Sequence, residues 1–374
     1  MRTGKYVNQL QGDFQYKAFI PGKLPFTLHS DSALEKLLSK ADFSLGKLEG
    51  TMEYIPDVDF FLLMYVRKES TLSSQIEGTK ATFSDVLKAE AKIADTEIHN
   101  DVDEILNYIN AMNHGLKRMG DLPLSLRLIK EIHGLLLKGV RGRMRSPGKF
   151  RVTQNWIGGP TLQTASYIPP PPHEVLPLMG NLEKYLHNNS PVPVLIRTGL
   201  IHAQFERIHP FLDGNGRIGR LLITLYLCQQ GILTKPLLYL SEFFKQYRQD
   251  YYDKLEAIER KDDIEGWLKF FLTGVQITAD KAVNTARKIH ELRENSVRKV
   301  MHFGRTSGHG MTLLNSLNRT PLLRISDVER ITGLKNPNAI VLVAKFVKAG
   351  ILSEITGKKR NRIFSYKAYI DLFE

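Results

Sequence analysis

Residues 209–220 read HPFLDGNGRIGR between two apolar stretches of helical spacing, and nothing else in the chain restricts its fold so tightly. Upstream, Pro193 to Ile208 (PVLIRTGLIHAQFERI) places apolar side chains three and four apart, and Ile218 to Leu227 does the same downstream. His209 to Gly216 therefore reads as a loop joining two packed helices. Gly214-Asn215-Gly216 lets the backbone turn with its amides exposed at the start of the second helix. Free N–H groups and the helix dipole favour an anion there. Arg217 and Arg220, three apart, can share one helix face beyond that cradle. Asp213 can hold a Mg²⁺ that bridges phosphate oxygens. His209 titrates near neutral pH and can accept a hydroxyl proton. Together these parts describe a polyphosphate site with a general base at its edge.

Each residue alone has a plainer reading. One of 11 histidines is more often a surface or core residue than a base, and a lone GxG more often only turns the chain. His202, His209 and Asp213 could instead be metal ligands, although no HExxH or paired Cys/His spacing accompanies them. Pro210 and Phe211 read as structural, the ring anchoring the loop in the core. The ordered combination carries the functional reading. HPFxxGNGRxxR, with Asp213 at the second variable site, resembles the signature of the Fic family. Members of that family move a nucleotide monophosphate, usually AMP from ATP, onto a protein hydroxyl. The resemblance implies His209 as the base, Asp213 as the Mg²⁺ ligand, and Gly214, Asn215, Gly216, Arg217 and Arg220 around the phosphates. It also implies a mainly α fold, a helical bundle with a β-hairpin flap.

Composition agrees with a soluble enzyme of two or three domains. The chain has 374 residues, 42% of them hydrophobic. A single cysteine, Cys228, excludes an internal disulfide framework, suits a reducing compartment and reads as packing on an apolar helix. Neither a membrane-length apolar run nor the apolar core of a signal peptide is present, so the expectation is a cytoplasmic protein with no membrane contact. The net charge of +13 asks for an anionic partner.

Helical periodicity dominates: Asp101–Met119, Leu124–Val140, Glu174–Asn188, Ser241–Arg260 and Glu265–Ile277 all space apolar residues for helix. Phe150 to Pro172 differs. Two β-prone runs flank Ile157-Gly158-Gly159-Pro160, a hairpin turn whose exposed edges can pair with an incoming peptide; a plain surface loop is the alternative. The family resemblance implies a target-docking flap here, with Ile157, Gly158 and Gly159 at its tip.

An upstream motif, Ser73-Ser74-Gln75-Ile76-Glu77-Gly78, closes an apolar helical run at Phe60–Val66. It resembles the family's inhibitory pattern, Ser/Thr-x-x-x-Glu followed by Gly or Asn. That assigns Ser73, Glu77 and Gly78 to inhibition; otherwise this is a helix end with Glu77 in water. A carboxylate reaching Arg220 would form a charge-assisted pair where a terminal phosphate belongs. Leu45–Gly50 resembles the family's N-terminal extension, so the likeness runs from about residue 40 to 275. Arg248, Tyr251 and Tyr252 resemble the helix lining the family's nucleotide pocket, with Tyr252 on the adenosine or simply packed on the helix.

The tail reads separately. A charged helix, Lys281–Lys299, leads to a Gly/Ser-containing linker at Phe303–Gly310. Short helices at Leu313–Leu317, Ile325–Ile331 and Pro337–Ala349 precede strands at Ile351–Ile355 and Arg362–Tyr366. From Met311 on, 11 Lys/Arg face 5 Asp/Glu. The order resembles a winged helix-turn-helix, with Gly357-Lys358-Lys359-Arg360 as a basic wing tip suited to phosphates. Such modules also dock proteins or form homodimers, and Pro337–Ala349 is apolar for a DNA-reading helix. The expected organisation is 1–95 (N-terminal region with inhibitory helix), 96–280 (catalytic core), 281–309 (helical linker) and 310–374 (small winged-helix domain). The expected function is a protein adenylyltransferase restrained by Glu77, taking ATP, Mg²⁺ and a protein target, itself included. The alternatives are a nucleotide-sensing DNA-binding regulator, with 310–374 on DNA, and a transferase using another nucleotide donor.

Overall fold

Most of the described chain is helix, as its apolar spacing requires. The computed structural model describes residues 1–12, 15–52, 58–91, 101–140 and 144–374. A hairpin opens the chain, β1 (Gly4–Gln9) pairing antiparallel with β2 (Tyr16–Pro21). After it come α1 (Ser32–Met52), α2 (Val58–Ile76), α3 (Phe83–Glu90), α4 (Val102–Arg118) and α5 (Leu126–Leu136). A longer segment, in which the described residues include one 3-10 turn at Leu162–Thr164, precedes α6 (Pro172–His187), α7 (Val194–Ile208) and α8 (Asn215–Gln229). The chain continues through α9 (Ser241–Gln246), α10 (Arg248–Lys261), α11 (Ile264–Met301) and α12 (Ser307–Leu317). The last elements are β3 (Leu322–Arg324), α13 (Ile325–Thr332), α14 (Asn336–Lys348), β4 (Ser353–Glu354), β5 (Ile363–Ser365) and α15 (Lys367–Ile370). No helix among the described residues is long and apolar enough to cross a membrane.

The chain divides into two compact units. The first takes Met1–Glu49, Leu72–Thr79 and Asp103–Asp280. Its axis is α7, buried along nearly its whole length and packed against α6 and α8. Each leucine or isoleucine buried there stabilises the fold by roughly 1.5–3 kcal/mol, so the loop after α7 leaves a fixed point. Trp267, fully buried on α11, donates its indole N–H to the Gly199 carbonyl of α7 (2.9 Å). The β1–β2 hairpin is tied down at its start, where Thr3 donates its amide and its hydroxyl to Asp262 and Arg2 pairs with Glu265.

The second unit takes Gly50–Thr71, Lys80–Val102 and Lys281–Glu374. Its core gathers Met64, Leu87, Leu313, Leu342, Phe346 and Phe364. A three-stranded antiparallel sheet of order β3-β5-β4, with Leu322 opposite Ser365, lies beside α13, which packs in turn on α14. The boundary expected between residues 95 and 96 lies outside the described residues.

Several expectations need correction. The linker expected at Phe303–Gly310 is mostly helical, because α12 already starts at Ser307. The helix expected over Ser241–Arg260 breaks at Tyr247, whose backbone (φ −107, ψ 43) is not helical, giving α9 and α10. The helices read at Glu265–Ile277 and Lys281–Lys299 are one helix, since Thr278-Ala279-Asp280 contains no breaker. The hairpin expected around Gly158-Gly159 shrinks to one antiparallel bridge, Ile157 with Tyr167. Pro160 has no N–H to extend that ladder, and Thr161–Thr164 turn back on their own hydroxyls.

Candidate active site

The helix α7 ends because His209 adopts a left-handed backbone (φ 48, ψ 61), its amide still bonded to Phe205 O. The loop is shorter than expected, His209 to Gly214, since Asn215 and Gly216 already belong to the first turn of α8. Several groups pin it. Asn215 accepts from the Phe211 amide and donates to the Phe211 carbonyl (both 2.8 Å). Phe211 is fully buried and stacks on His133 of α5, ring centroids 3.7 Å apart. His133 Nδ1 accepts from the Gly148 amide, so its Nε2 carries the proton and donates to Asp213 O (2.9 Å). Buried Arg151 donates to the carbonyls of His209, Pro170 and Ile208. The loop is a preformed bracket.

His209 Nδ1 lies 3.3 Å from Glu206 O. A carbonyl only accepts, so Nδ1 carries the hydrogen and Nε2 keeps its lone pair. Burial, aided by Arg151, pushes the imidazole down to about 4, and the ring is neutral at pH 7. His202 is no alternative ligand or base. Its Nδ1 donates to Gly219 O and its Nε2 accepts from Tyr251 (both 2.9 Å), which leaves no lone pair for a metal.

The first amides of α8 have no side-chain cap, as an anion cradle requires. Glu77 now covers it: a Cβ on Gly216 would lie 2.2 Å from Glu77 Oε1, an approach only glycine permits. Arg220 donates to Glu77 Oε1 (2.7 Å), Ser73 Oγ (2.8 Å) and Ser73 O (3.0 Å). Burial opposes both charges, yet each ion overcomes it for the other: the Glu77 carboxyl is held below its ordinary range and the Arg220 guanidinium above its own. Gly78 follows directly, outside α2. Arg217 points elsewhere, to Glu104 (3.4 Å) and Asp213 (3.5 Å), while Glu104 also accepts from Thr79. The two arginines thus have separate acidic partners.

The Asp213 side chain is partly open to water, 38% exposed. No group of three His, Cys, Asp or Glu among the described residues is arranged to hold a metal. A Mg²⁺ fits Asp213 when substrate phosphates and water complete its ligands, the usual habit of that ion.

A cavity of about 430 Å³ opens between the Ile157–Tyr167 bridge and α10, lined among others by Ile157, Tyr167, Glu206, Arg248, Tyr252 and Glu259. Gly158 lines it too, but Gly159 does not. Tyr252 faces the cavity with the Arg248 guanidinium 5.7 Å from its ring, whereas Tyr251 is buried. His209, Asp213, Gly216, Arg217, Arg220, Ser73 and Glu77 therefore cluster around the start of α8. Ile157, Gly158 and Tyr252 form a separate wall. The sequence reading missed His133, Arg151, Glu104 and Glu206. Of these only Glu206 stood beside the motif, three residues before His209.

Two family descriptions match the chain, Fic/DOC family N-terminal over residues 35–117 and Fic/DOC family over 123–227. The protein adenylyltransferase Fic of Drosophila grimshawi is 31% identical over 216 residues, 55% of this chain and 40% of that protein. A probable protein adenylyltransferase of Aquifex aeolicus (strain VF5) is 30% identical over 180 residues, 46% of this chain and 51% of the relative. The chain spans about half or less of the length of these curated relatives. A solved Fic family protein from Desulfovibrio desulfuricans G20 is similar with a TM-score of 0.58 at 19% identity, over 90% of this chain and 97% of that one. A Fic domain containing signaling protein from Bacteroides thetaiotaomicron VPI-5482 gives 0.52 at 18% identity, over 68% and 97%. An unbroken HPFxxGNGRxxR loop on a buried helix pair, two matching domain descriptions and a shared fold make this chain a member of the Fic family.

Proposed function

We propose that the chain is a protein adenylyltransferase held in check by Glu77. One observation carries this reading: a neutral histidine with a free Nε2 stands beside an amide cradle whose arginine is taken by a carboxylate. When Glu77 leaves, the α8 amides and Arg220 are free for the phosphates of ATP, and the cavity beside Tyr252 takes the nucleoside. The target hydroxyl attacks the α-phosphorus. The new O–P bond forms as the bond to the β-phosphate oxygen breaks, pyrophosphate leaves, and Nε2 takes the hydroxyl proton. Asp213 would hold a Mg²⁺, which when bound neutralises phosphate charge. The Ile157 and Gly158 edge supports docking of an extended target segment. The test is transfer of label from α-labelled ATP to protein by the wild-type and Glu77→Gly chains, with labelled GTP and UTP alongside. Label from another nucleotide in place of ATP would change the donor and keep the reaction class.

Residues 310–374 suggest a second activity. Lys358, Lys359 and Arg360 are exposed on the turn between β4 and β5, a fit for nucleic-acid phosphates. The outer face of α14 shows Ile340, Val341 and Val347, which suits backbone contact or protein docking better than base reading.

A further inference from the structure

One ionisable group at the cradle has no task in the scheme above. Glu206, on the last turn of α7, lays its carboxyl across α8, where a Cβ on Gly219 would lie 2.1 Å from its Oε1. Glycine at 219 makes room for that carboxyl. Oε1 is buried and has no hydrogen-bond partner, and the side chain lines the cavity that meets Tyr252 and Arg248. Buried polar atoms rarely stay unpaired without a ligand or a role. Facing Glu206 are Glu77 from the end of α2, His202 and His209 from its own helix, Arg220 from α8, and Arg248, Tyr251 and Tyr252 from α10.

Burial pushes the Glu206 carboxyl up to about 8; Arg220 pulls it back and Glu77 adds to the rise. At neutral pH it keeps its proton and can donate. Ionised, it would instead repel a phosphate.

We propose that Glu206 is a nucleotide-binding residue whose carboxyl donates a hydrogen bond to a phosphate oxygen of the bound nucleotide, alongside Arg220. The proposal rests on the adenylyltransferase reading. It adds a second phosphate contact that works only while the carboxyl is neutral.

The contact is present below the carboxyl's pKa and is lost as pH rises through it. Burial pushes Tyr251 and Tyr252 up and His202 and His209 down, and the Arg220 guanidinium is held above its ordinary range, so none of these titrates there. Glu259, also on the cavity wall, is pushed up to about 7 and titrates earlier. The experiment is calorimetric titration of Mg-ATP into Glu77→Gly protein from about pH 7 to about pH 9.5. Affinity should fall about tenfold as pH rises through the Glu206 pKa, which lies lower once Glu77 no longer adds to it; the drop is the weight of one charge-assisted hydrogen bond. Glu206→Gln in that background keeps a donor and loses the ionisation, so binding should stay at its neutral-pH strength throughout. Glu206→Ala should bind about tenfold more weakly at every pH. An alkaline loss in the Gln variant equal to its parent's, or undiminished binding by the Ala variant, overturns the assignment. The Gln profile decides alone if the Ala variant does not fold. Should the Glu77→Gly parent bind no ATP, the adenylyltransferase reading falls with it; binding indifferent to Glu206 removes only this inference.

Discussion

Two parts of this chain handle charge in opposite ways. Between Val194 and Gln229, Arg197, Arg207, Arg217 and Arg220 are all nearly excluded from water, each at 5% exposure or less. In residues 310–374 the core is aliphatic and aromatic, and Lys358, Lys359 and Arg360 stand in solvent. Burying a guanidinium costs several kcal/mol unless partners compensate, and apolar residues of like volume are often the more stable choice. A segment selected for stability alone would resemble the tail. The contrast teaches that buried charge persists where protein groups compensate it: the Tyr185 and Leu255 carbonyls for Arg197 and Arg207, and the Glu104 and Glu77 carboxylates for Arg217 and Arg220, the pair to which the proposed function gives phosphates.

The sharpest way to break the comparison is to remove the base. In Glu77→Gly protein, His209→Ala should lower AMP transfer roughly 10²–10⁴-fold while ATP binding persists. An undiminished rate would strip His209 of its role. Next in size is release of the arginine: Glu77→Gly should raise transfer and self-modification roughly ten- to a hundredfold, the worth of one charge-assisted contact. Adding Arg220→Ala should lower it again. Initial rates of the four proteins decide this, and a Glu77→Gly chain no faster than wild type would make that carboxylate a packing residue.

Acid sensitivity sharpens the same contrast with a smaller effect. The proposed mechanism requires a neutral His209, whose imidazole is pushed down to about 4, so kcat/KM of Glu77→Gly protein should hold as pH drops past 6.5 and decline only toward about 4. An acid limb at the ordinary imidazole value would mean the ring is solvated. The smallest effect belongs to the tail. Replacing Lys358, Lys359 and Arg360 by alanine should leave AMP transfer unchanged. For DNA binding by the full chain, the log-affinity against log-salt slope should lose about 2.7. An unaltered slope would point to docking of a protein or of a second copy.

What the sequence revealed and what it hid follow from the range of the interactions. Helices such as α4 and α7 were legible because apolar spacing is local. His209, Asp213 and the two arginines were legible because their order along one loop is itself the signal. Arg151 and His133 were not, since each acts through backbone carbonyls and amides supplied from elsewhere in the chain. The β1–β2 hairpin was missed for a related reason: much of its anchorage is Asp262 and Glu265, some 260 residues away. Tyr247 ends α9 with neither Pro nor Gly to announce it. Glu206 looked like one more polar residue of an amphipathic helix until α8 was seen against it.

The left-handed backbone at residue 209 narrows the choice of amino acid there from a direction unrelated to proton transfer. Among residues other than glycine, asparagine, aspartate and histidine enter that region most readily, while branched and bulky side chains resist it. Of those three only histidine offers a neutral nitrogen lone pair near physiological pH. Backbone shape and chemistry therefore select the same letter independently. Transplanting a lysine or glutamate base onto this corner would meet resistance from the chain itself before any reaction was attempted.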